Sequence, residues 1–212
     1  MKPILYSFRR CPYAIRARLA VASAGLQVEL REVVLRQKPE AFLLASPSAT
    51  VPCLVEANNV IDESLDVMKW ALEQSDPEEW LNMPDAGHEW IARTDGPFKR
   101  ALDRTKYAQR YPDDDPACQR ELASQFLSDL DARIESWIFG RPTLADFAIL
   151  PFVRQFAFID KSWFDTQPWP KLQRWLERFL ASARFEDVMF KYPQWQDGDL
   201  PVLFPATRKT NL

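Results

Sequence analysis

Residues 4–14 read Ile4-Leu5-Tyr6-Ser7-Phe8-Arg9-Arg10-Cys11-Pro12-Tyr13-Ala14. Ile4, Tyr6 and Phe8 favour a short strand. Pro12 suits the first turn of a helix, where its missing N–H removes no helix bond. Beyond it, Ile15, Leu19 and Ala22 fall at i, i+4 and i+7, one buried helical stripe. The spacing predicts a strand, a tight loop and a helix, with Cys11 at or beside the N-cap. There it faces unpaired backbone N–H groups and the positive end of the helix dipole. Arg9 and Arg10 stand beside it. Such settings favour thiolate over thiol and bring cysteine pKa values to roughly 3.5–7.5. A thiolate is a nucleophile, so thiol chemistry is the first functional expectation. The competing reading is a buried, inert cysteine.

Downstream, Gly25 supplies a helix C-cap. Residues 27–34 alternate, with Val28, Leu30 and Val33-Val34 apolar, which predicts a second strand. Two strands joined by a helix suggest a parallel βαβ unit. Residues 39–45 form a short helical or irregular segment, and Ser46-Pro47-Ser48-Ala49-Thr50 is a loop by composition. Val51-Pro52-Cys53-Leu54-Val55-Glu56 and Val60-Ile61-Asp62 flank Asn58-Asn59, a hairpin pattern with the turn at the asparagines. Pro52 is allowed at the first residue of a strand, where no ladder donor is needed. Glu63-Ser64 opens a helix with Leu65, Met68 and Leu72 on one face, and Asp62 is its candidate cap.

The pattern breaks at Asp76-Pro77. Residues 76–87 are acidic, contain Pro77, Pro84 and Gly87, and form a linker. From there the pattern is helical. Residues 88–111 predict one long or broken helix, interrupted near Gly96-Pro97. Leu122, Phe126, Leu130, Ile134 and Trp137 give a second helical stripe, stopped by Gly140. Thr143-Leu144-Ala145-Asp146 has capping-box spacing, with Asp in place of the usual Glu or Gln. It starts an apolar helix through about Phe158. Leu172, Trp175, Leu176, Phe179 and Leu180 form another stripe. The tail from Tyr192 is rich in proline and aromatics and is expected to lie over the helices without regular structure. The domain expectation is therefore an α/β domain at 1–75, a linker at 76–87 and an all-helical domain at 88–212 that includes the tail.

Composition narrows the function classes. At 212 residues, 47% apolar, with eight Trp and fourteen Phe, the chain has ample material for a packed core. A net charge of −3 argues against nucleic acid as a partner. No apolar run approaches the roughly 20 residues of a membrane span. The N-terminus starts directly with a strand pattern and lacks a signal-peptide h-region. Three cysteines are too few and too scattered for a disulfide scaffold, so a reducing cytoplasm is expected. One histidine, His88, and scattered cysteines offer no metal-ligand spacing.

Taken together, these pieces resemble the glutathione transferase superfamily. The likeness is strongest to its cysteine-bearing, omega-like branch and to the two-domain glutaredoxins. It is carried by Tyr6-Ser7 before Cys11-Pro12-Tyr13-Ala14, by the Val51-Pro52 step, by Glu63-Ser64, and by Thr143 and Asp146. They occur in the family's order and spacing across nearly the whole chain. The resemblance implies a thioredoxin-like domain with a mixed four-stranded sheet that carries glutathione as co-substrate. It implies an all-α domain with most of the second-substrate pocket, and a homodimer. Cys11 matches the catalytic cysteine, with Pro12 and Tyr13 adjoining it in the glutathione site. Val51 matches the residue whose backbone pairs with the cysteinyl unit of glutathione, and Pro52 the family's cis-proline. Glu63 and Ser64 match the pair that holds the γ-glutamyl end. The chemistry agrees, since a carboxylate can receive an ammonium and a hydroxyl at a helix start can hold a carboxylate.

Two positions depart from the family pattern. Leu44 occupies the place where omega-like members often carry a lysine for the glycyl carboxylate; Lys38 and Arg36 lie nearby but off the matched position. Ala14 stands where the two-domain glutaredoxins carry a second cysteine, so Cys11 has no Cys-x-x-Cys partner. Cys53, just after Pro52, is expected to be buried and structural, and Cys118 needs no special role. Tyr6 and Ser7 are rivals to Cys11, since other branches activate glutathione with a hydroxyl here. Cys11 is preferred because a thiol ionises far more readily. Phe98, Leu102, Tyr107 and Trp163 are candidates for the second-substrate pocket, with core or surface as the default. Lys99, Arg100, Arg104, Lys106 and Arg110 form a basic face whose default is solvation.

The functional expectation is a glutathione-dependent thiol transferase or reductase acting through Cys11. Its second substrate is a small disulfide or electrophile, with no metal involved. The alternatives are conjugation of glutathione to electrophiles, or a non-catalytic binding or regulatory protein on the same fold.

Overall fold

The computed structural model describes residues 2–206. It divides into two compact units: residues up to 79 together with those from 183 onward, and Trp80–Ser182.

The first unit is built on a five-stranded mixed sheet. Strand β1 (Ile4–Ser7) leads through the loop at 8–11 into α1 (Pro12–Ser23) and then β2 (Val28–Glu32). A Schellman motif ends α1: Gly25 sits at φ +67, its N–H bonds to the Ala22 carbonyl, and the Leu26 N–H bonds to that of Val21. The short helix α2 (Glu40–Ala45), the hairpin β3 (Cys53–Glu56) and β4 (Asn59–Ile61), and α3 (Ser64–Gln74) follow. Strand order is β4-β3-β1-β2-β5, where β5 is Leu203–Phe204. β1 runs parallel to β2 and antiparallel to β3, with Leu5 opposite both Leu30 and Leu54, and Tyr6 opposite both Arg31 and Cys53. Alternation thus builds a buried leucine row on one face. On the other face Tyr6 and Cys53 pack with Val33, Phe42, Val51 and Trp195.

The fold is the thioredoxin-like unit followed by a helical unit, as expected, but the sheet has five strands where four were anticipated. The fifth comes from the tail. After α10 (Ala183–Val188), the chain returns to β2: Trp195 N–H bonds to the Glu32 carbonyl, Leu30 N–H to that of Val202, and β5 pairs antiparallel with Val28 and Glu29. The expectation that the whole tail lies over the helices is thus corrected for residues 192–206; the rest of that expectation lies outside the described residues. The hairpin turn also differs. Its loop is Ala57-Asn58, with Ala57 at φ +52, and Asn59 pairs with Glu56 inside the ladder.

The second unit is helical. Trp80, inside the expected linker, is buried and stacks on Phe147 with ring centroids 3.9 Å apart. Helix α4 (Ala86–Arg93) runs through a π-helical turn (Thr94–Phe98) into α5 (Lys99–Lys106). Pro97 lies in that turn and has no N–H to donate, which accounts for the widened turn at the expected break. Helix α6 (Pro116–Arg133) buries Ala123, Phe126, Leu127 and Leu130. Leu122 is half exposed, and Ile134 and Trp137 fall beyond the helix end. Helix α7 (Leu144–Ala157) opens with the expected capping box at Thr143 and Asp146. Helices α8 (Lys161–Asp165) and α9 (Pro170–Leu180) complete the unit, with Leu172, Trp175, Leu176 and Phe179 buried on α9. No helix among the described residues is long and apolar enough to cross a membrane.

Asp146 organises the core of this unit. Its Oδ2 accepts from the Thr143 N–H (2.9 Å) and hydroxyl (2.8 Å), and its Oδ1 from the Ile138 N–H (3.0 Å) and the Trp175 indole N–H (3.1 Å). Burial pushes its carboxyl above the ordinary aspartate range, against the pull of those donors.

Candidate active site

Cys11 is the N-cap of α1, in extended conformation (φ −71°, ψ 123°), with Pro12 as the first helical residue. Its N–H bonds to the Phe8 carbonyl at 3.0 Å and its carbonyl accepts from Ile15 N–H at 2.9 Å. The thiol is half-buried, and Sγ lies 3.6 Å from the Val51 carbonyl oxygen. The first-turn N–H groups of α1 and the positive end of its dipole therefore lie at the sulfur-bearing residue. The Val51–Pro52 bond is cis, and both residues are buried. Pro12 is buried and Tyr13 half-buried, with the Arg16 guanidinium 5.2 Å from the Tyr13 ring centre.

Glu63 and Ser64 sit at the start of α3. Glu63 is the N-cap residue, exposed, and its side chain makes no cap bond. Ser64 is buried, and its hydroxyl accepts from Arg16 Nε at 2.9 Å. A hydroxyl that accepts from a guanidinium keeps its own proton free to donate. Asp62 does not cap this helix; it accepts instead from the Ser48 N–H (3.1 Å) and Ser46 hydroxyl (3.3 Å). Burial raises its carboxyl, but hydrogen bonding from Cys53 first, and then from Ser48 and Ser46, outweighs that and holds it below the ordinary range.

The rivals of Cys11 are buried. The Tyr6 hydroxyl is buried and accepts from Arg31 at 2.8 Å; burial pushes its pKa up despite the nearby guanidinium. The Ser7 hydroxyl is fully buried and accepts from Arg18. Cys53 is fully buried, and burial together with Asp62 pushes its thiol up to about 12, which leaves it inert at neutral pH. Cys118 is exposed on α6. Leu44, at the departed lysine position, is 81% exposed on α2, and Lys38 lies beside a 350 Å³ cavity lined also by Gln194 and Asp197 of the tail.

In the helical unit, Phe98 and Leu102 are buried core. Phe98 stacks on Phe126 with ring centroids 4.6 Å apart. Trp163 packs edge-on against Phe156 and Trp169. Tyr107 is half-buried and flanked by Lys106 and Arg110. On the basic face, Lys99 pairs with Asp103 and Arg104 with Asp114, the arrangement of a solvated helix surface.

Two residues near Cys11 escaped the sequence reading. Arg16 and Arg18 are each 1% exposed. The available signal was two arginines in an otherwise apolar helix that leaves little polar face.

Comparison with known proteins decides the family. Residues 5–80 match the glutathione S-transferase N-terminal domain and residues 78–178 its C-terminal domain. This chain belongs to the glutathione transferase superfamily, and its similarity is omega-like. It is 27% identical over 197 residues to glutathione S-transferase omega-1 of Rattus norvegicus, covering 87% of this chain and 80% of that protein. A glutathione transferase family member from Pseudomonas fluorescens, solved with two glutathione bound, superposes with a TM-score of 0.75 at 20% identity. That match covers 89% of this chain and 92% of the other. Glutathione transferase Omega 3C from Trametes versicolor gives 0.73 at 16% identity, over 87% and 83%. The two solved structures bear on the fold.

Proposed function

We propose that this chain is a glutathione-dependent thiol transferase with Cys11 as its nucleophile. The observation that carries this reading is the difference in access at the end of β1. Tyr6 and Ser7 are buried, at 2% and 0% exposure, whereas the half-buried Cys11 thiol stands at a helix start beside the Val51 carbonyl. The Cys11 thiolate attacks the glutathionyl sulfur of a mixed disulfide, forming a Cys11–glutathione disulfide and expelling the partner as a thiolate. A second glutathione thiolate then attacks the glutathionyl sulfur, releasing oxidised glutathione and restoring the Cys11 thiolate. Backbone at Val51 holds the cysteinyl unit of glutathione. Glu63 receives the γ-glutamyl ammonium, and the Ser64 hydroxyl donates to its carboxylate. Pro12 and Tyr13 form the wall beside the sulfur. The protein works as a cytoplasmic homodimer, and its second substrate is a small disulfide or electrophile.

Cys11→Ser separates the alternatives. A serine hydroxyl cannot form a disulfide, so the variant is expected to lose reduction of mixed disulfides. It can still donate a hydrogen bond to bound glutathione thiolate and so support conjugation to an electrophile. Paired kinetics of the two proteins in a disulfide-exchange and a conjugation assay read this directly. Full disulfide-exchange activity in the variant overturns the assignment. Inertness of both proteins in both assays, with glutathione still bound, favours a binding protein.

A further inference from the structure

We propose that Arg18 is a positioning residue for Cys11: it locks the turn that delivers the cysteine and keeps a buried positive charge behind it. The inference rests on reading Cys11 as the nucleophile but not on glutathione as its partner.

Arg18 lies on α1, two turns beyond Cys11, and its guanidinium bonds to the turn after β1 and to the end of α10. Nε donates to the Val188 carbonyl at 2.9 Å, one terminal nitrogen to the Ser7 hydroxyl, and the other to the Arg9 carbonyl at 2.7 Å. It therefore grips the last residue of β1 and the middle of the loop, the two points between which the chain turns towards Cys11. The loop is held from its other side by Glu32, whose carboxylate accepts the Arg9 N–H at 2.7 Å. Arg9 in turn reaches the Met189 carbonyl at 3.4 Å. The tail closes the arrangement, because the Trp195 N–H bonds to the Glu32 carbonyl at 2.9 Å.

Burying a guanidinium is expensive unless its donors are all met and a charge answers it. Three carbonyl or hydroxyl acceptors meet one N–H on each of its three nitrogens. The charged and titratable groups facing it are Glu32 from β2, Cys11 from the helix start, Tyr192 from the tail and Arg9 from the loop. Burial brings Arg18 down to about 10, opposed first by Glu32 and next by Cys11, so it stays cationic at neutral pH. Burial pushes the Glu32 carboxyl up, opposed by the Arg9 N–H and by the charges of Arg18 and Arg9. A thiolate at Cys11 thus has a fixed cation behind it, where Arg10 is exposed to solvent and screened.

The test is alkylation of Cys11 by iodoacetamide across a pH series, read by intact mass in the full chain carrying Cys118→Ser. Cys53 is too deeply buried to compete. In Arg18→Met the midpoint of the rate profile is expected to rise by about one pH unit, as for loss of an adjacent opposite charge. Arg18→Lys, which keeps the charge, is expected to recover most of that shift. An unchanged midpoint in folded Arg18→Met overturns the proposal, because a purely structural arginine would alter stability alone. If Arg18→Met does not fold, Glu32→Gln decides. Gln keeps an acceptor for the Arg9 N–H and removes the carboxylate charge facing Arg18, so the midpoint is expected to fall. An unchanged or raised midpoint overturns the proposal. No glutathione enters the measurement, so its outcome is distinguishable from failure of the thiol-transferase reading.

Discussion

Removing the carboxylate of Asp146 tests how the helical unit is held together. Four donors converge on it, from the Thr143 N–H and hydroxyl, the Ile138 N–H and the Trp175 indole. In Asp146→Ala the hydroxyl can turn elsewhere, but the three N–H donors are fixed by backbone or ring. Each buried donor left without a partner costs about 1–3 kcal/mol. Three donors near the low end of that range, with a small cavity added, give a loss of about 3–5 kcal/mol. For a chain of this size that is a fall in melting temperature on the order of 10 °C. Urea unfolding followed by far-UV circular dichroism measures it, since the signal is dominated by the helices and is indifferent to the environment of Trp175. A loss under about 1 kcal/mol, the size of an ordinary surface substitution, would refute the reasoning. It would mean that water enters and satisfies the donors, so that the carboxylate is not what joins α7 to α9.

The same site carries a pH dependence. The folded pKa of Asp146 is raised, so its contribution is fully present below the ordinary aspartate value of about 3.9 and is lost as pH rises through the raised value. The stability gap between wild type and Asp146→Asn is therefore expected to be wider in acid than at neutral pH, and paired urea melts showing the reverse order count against it. At the start of α3, Glu63→Ala is expected to weaken glutathione binding by about 1.5–3 kcal/mol with no change in melting, because the side chain is exposed and caps nothing. Ser64→Ala is expected to lower both affinity and stability, because the hydroxyl also receives the buried Arg16. Calorimetric titration with glutathione, set beside thermal melts, separates the two; equal behaviour of the pair would contradict the assignment.

Much of the first unit was legible because its signals are local. Strand alternation, Pro12 and Gly25 delimit β1 and α1, and in the second unit the capping box at Thr143 and Asp146 is likewise a local, four-residue pattern. What escaped depends on partners far along the chain. β5 is two residues long, too short for any periodicity, and exists because Val28 and Glu29 present an open strand edge. The hairpin turn shifted by one residue because the β3–β4 register places Asn59 in the ladder, leaving Ala57 to take the left-handed backbone that composition would give to asparagine. On α6, two apolar rows overlap, and packing chose Ala123 and Leu127 over Leu122.

The buried arginines follow from the same cause as the missed tail. With the tail assigned to the helices, one side of α1 has nothing to cover it, and Arg18 is expected to reach solvent. With α10 and β5 returned to the first unit, that side is covered, and Arg18 ends at the Val188 carbonyl. Placing the tail thus changes what the helix start is made of. The dipole and Pro12 come from a local motif, and Arg18 grips Ser7 and Arg9 from nearby in sequence, but the Val188 and Met189 carbonyls that meet Arg18 and Arg9 come from 170 and 180 positions along the chain. Reading the motif alone assigns the activation of Cys11 to Arg9 and Arg10. In the fold Arg10 lies in solvent and the Arg9 guanidinium reaches the Met189 carbonyl, while the buried cation is Arg18, whose signal in the sequence was a charged side chain in an otherwise apolar helix.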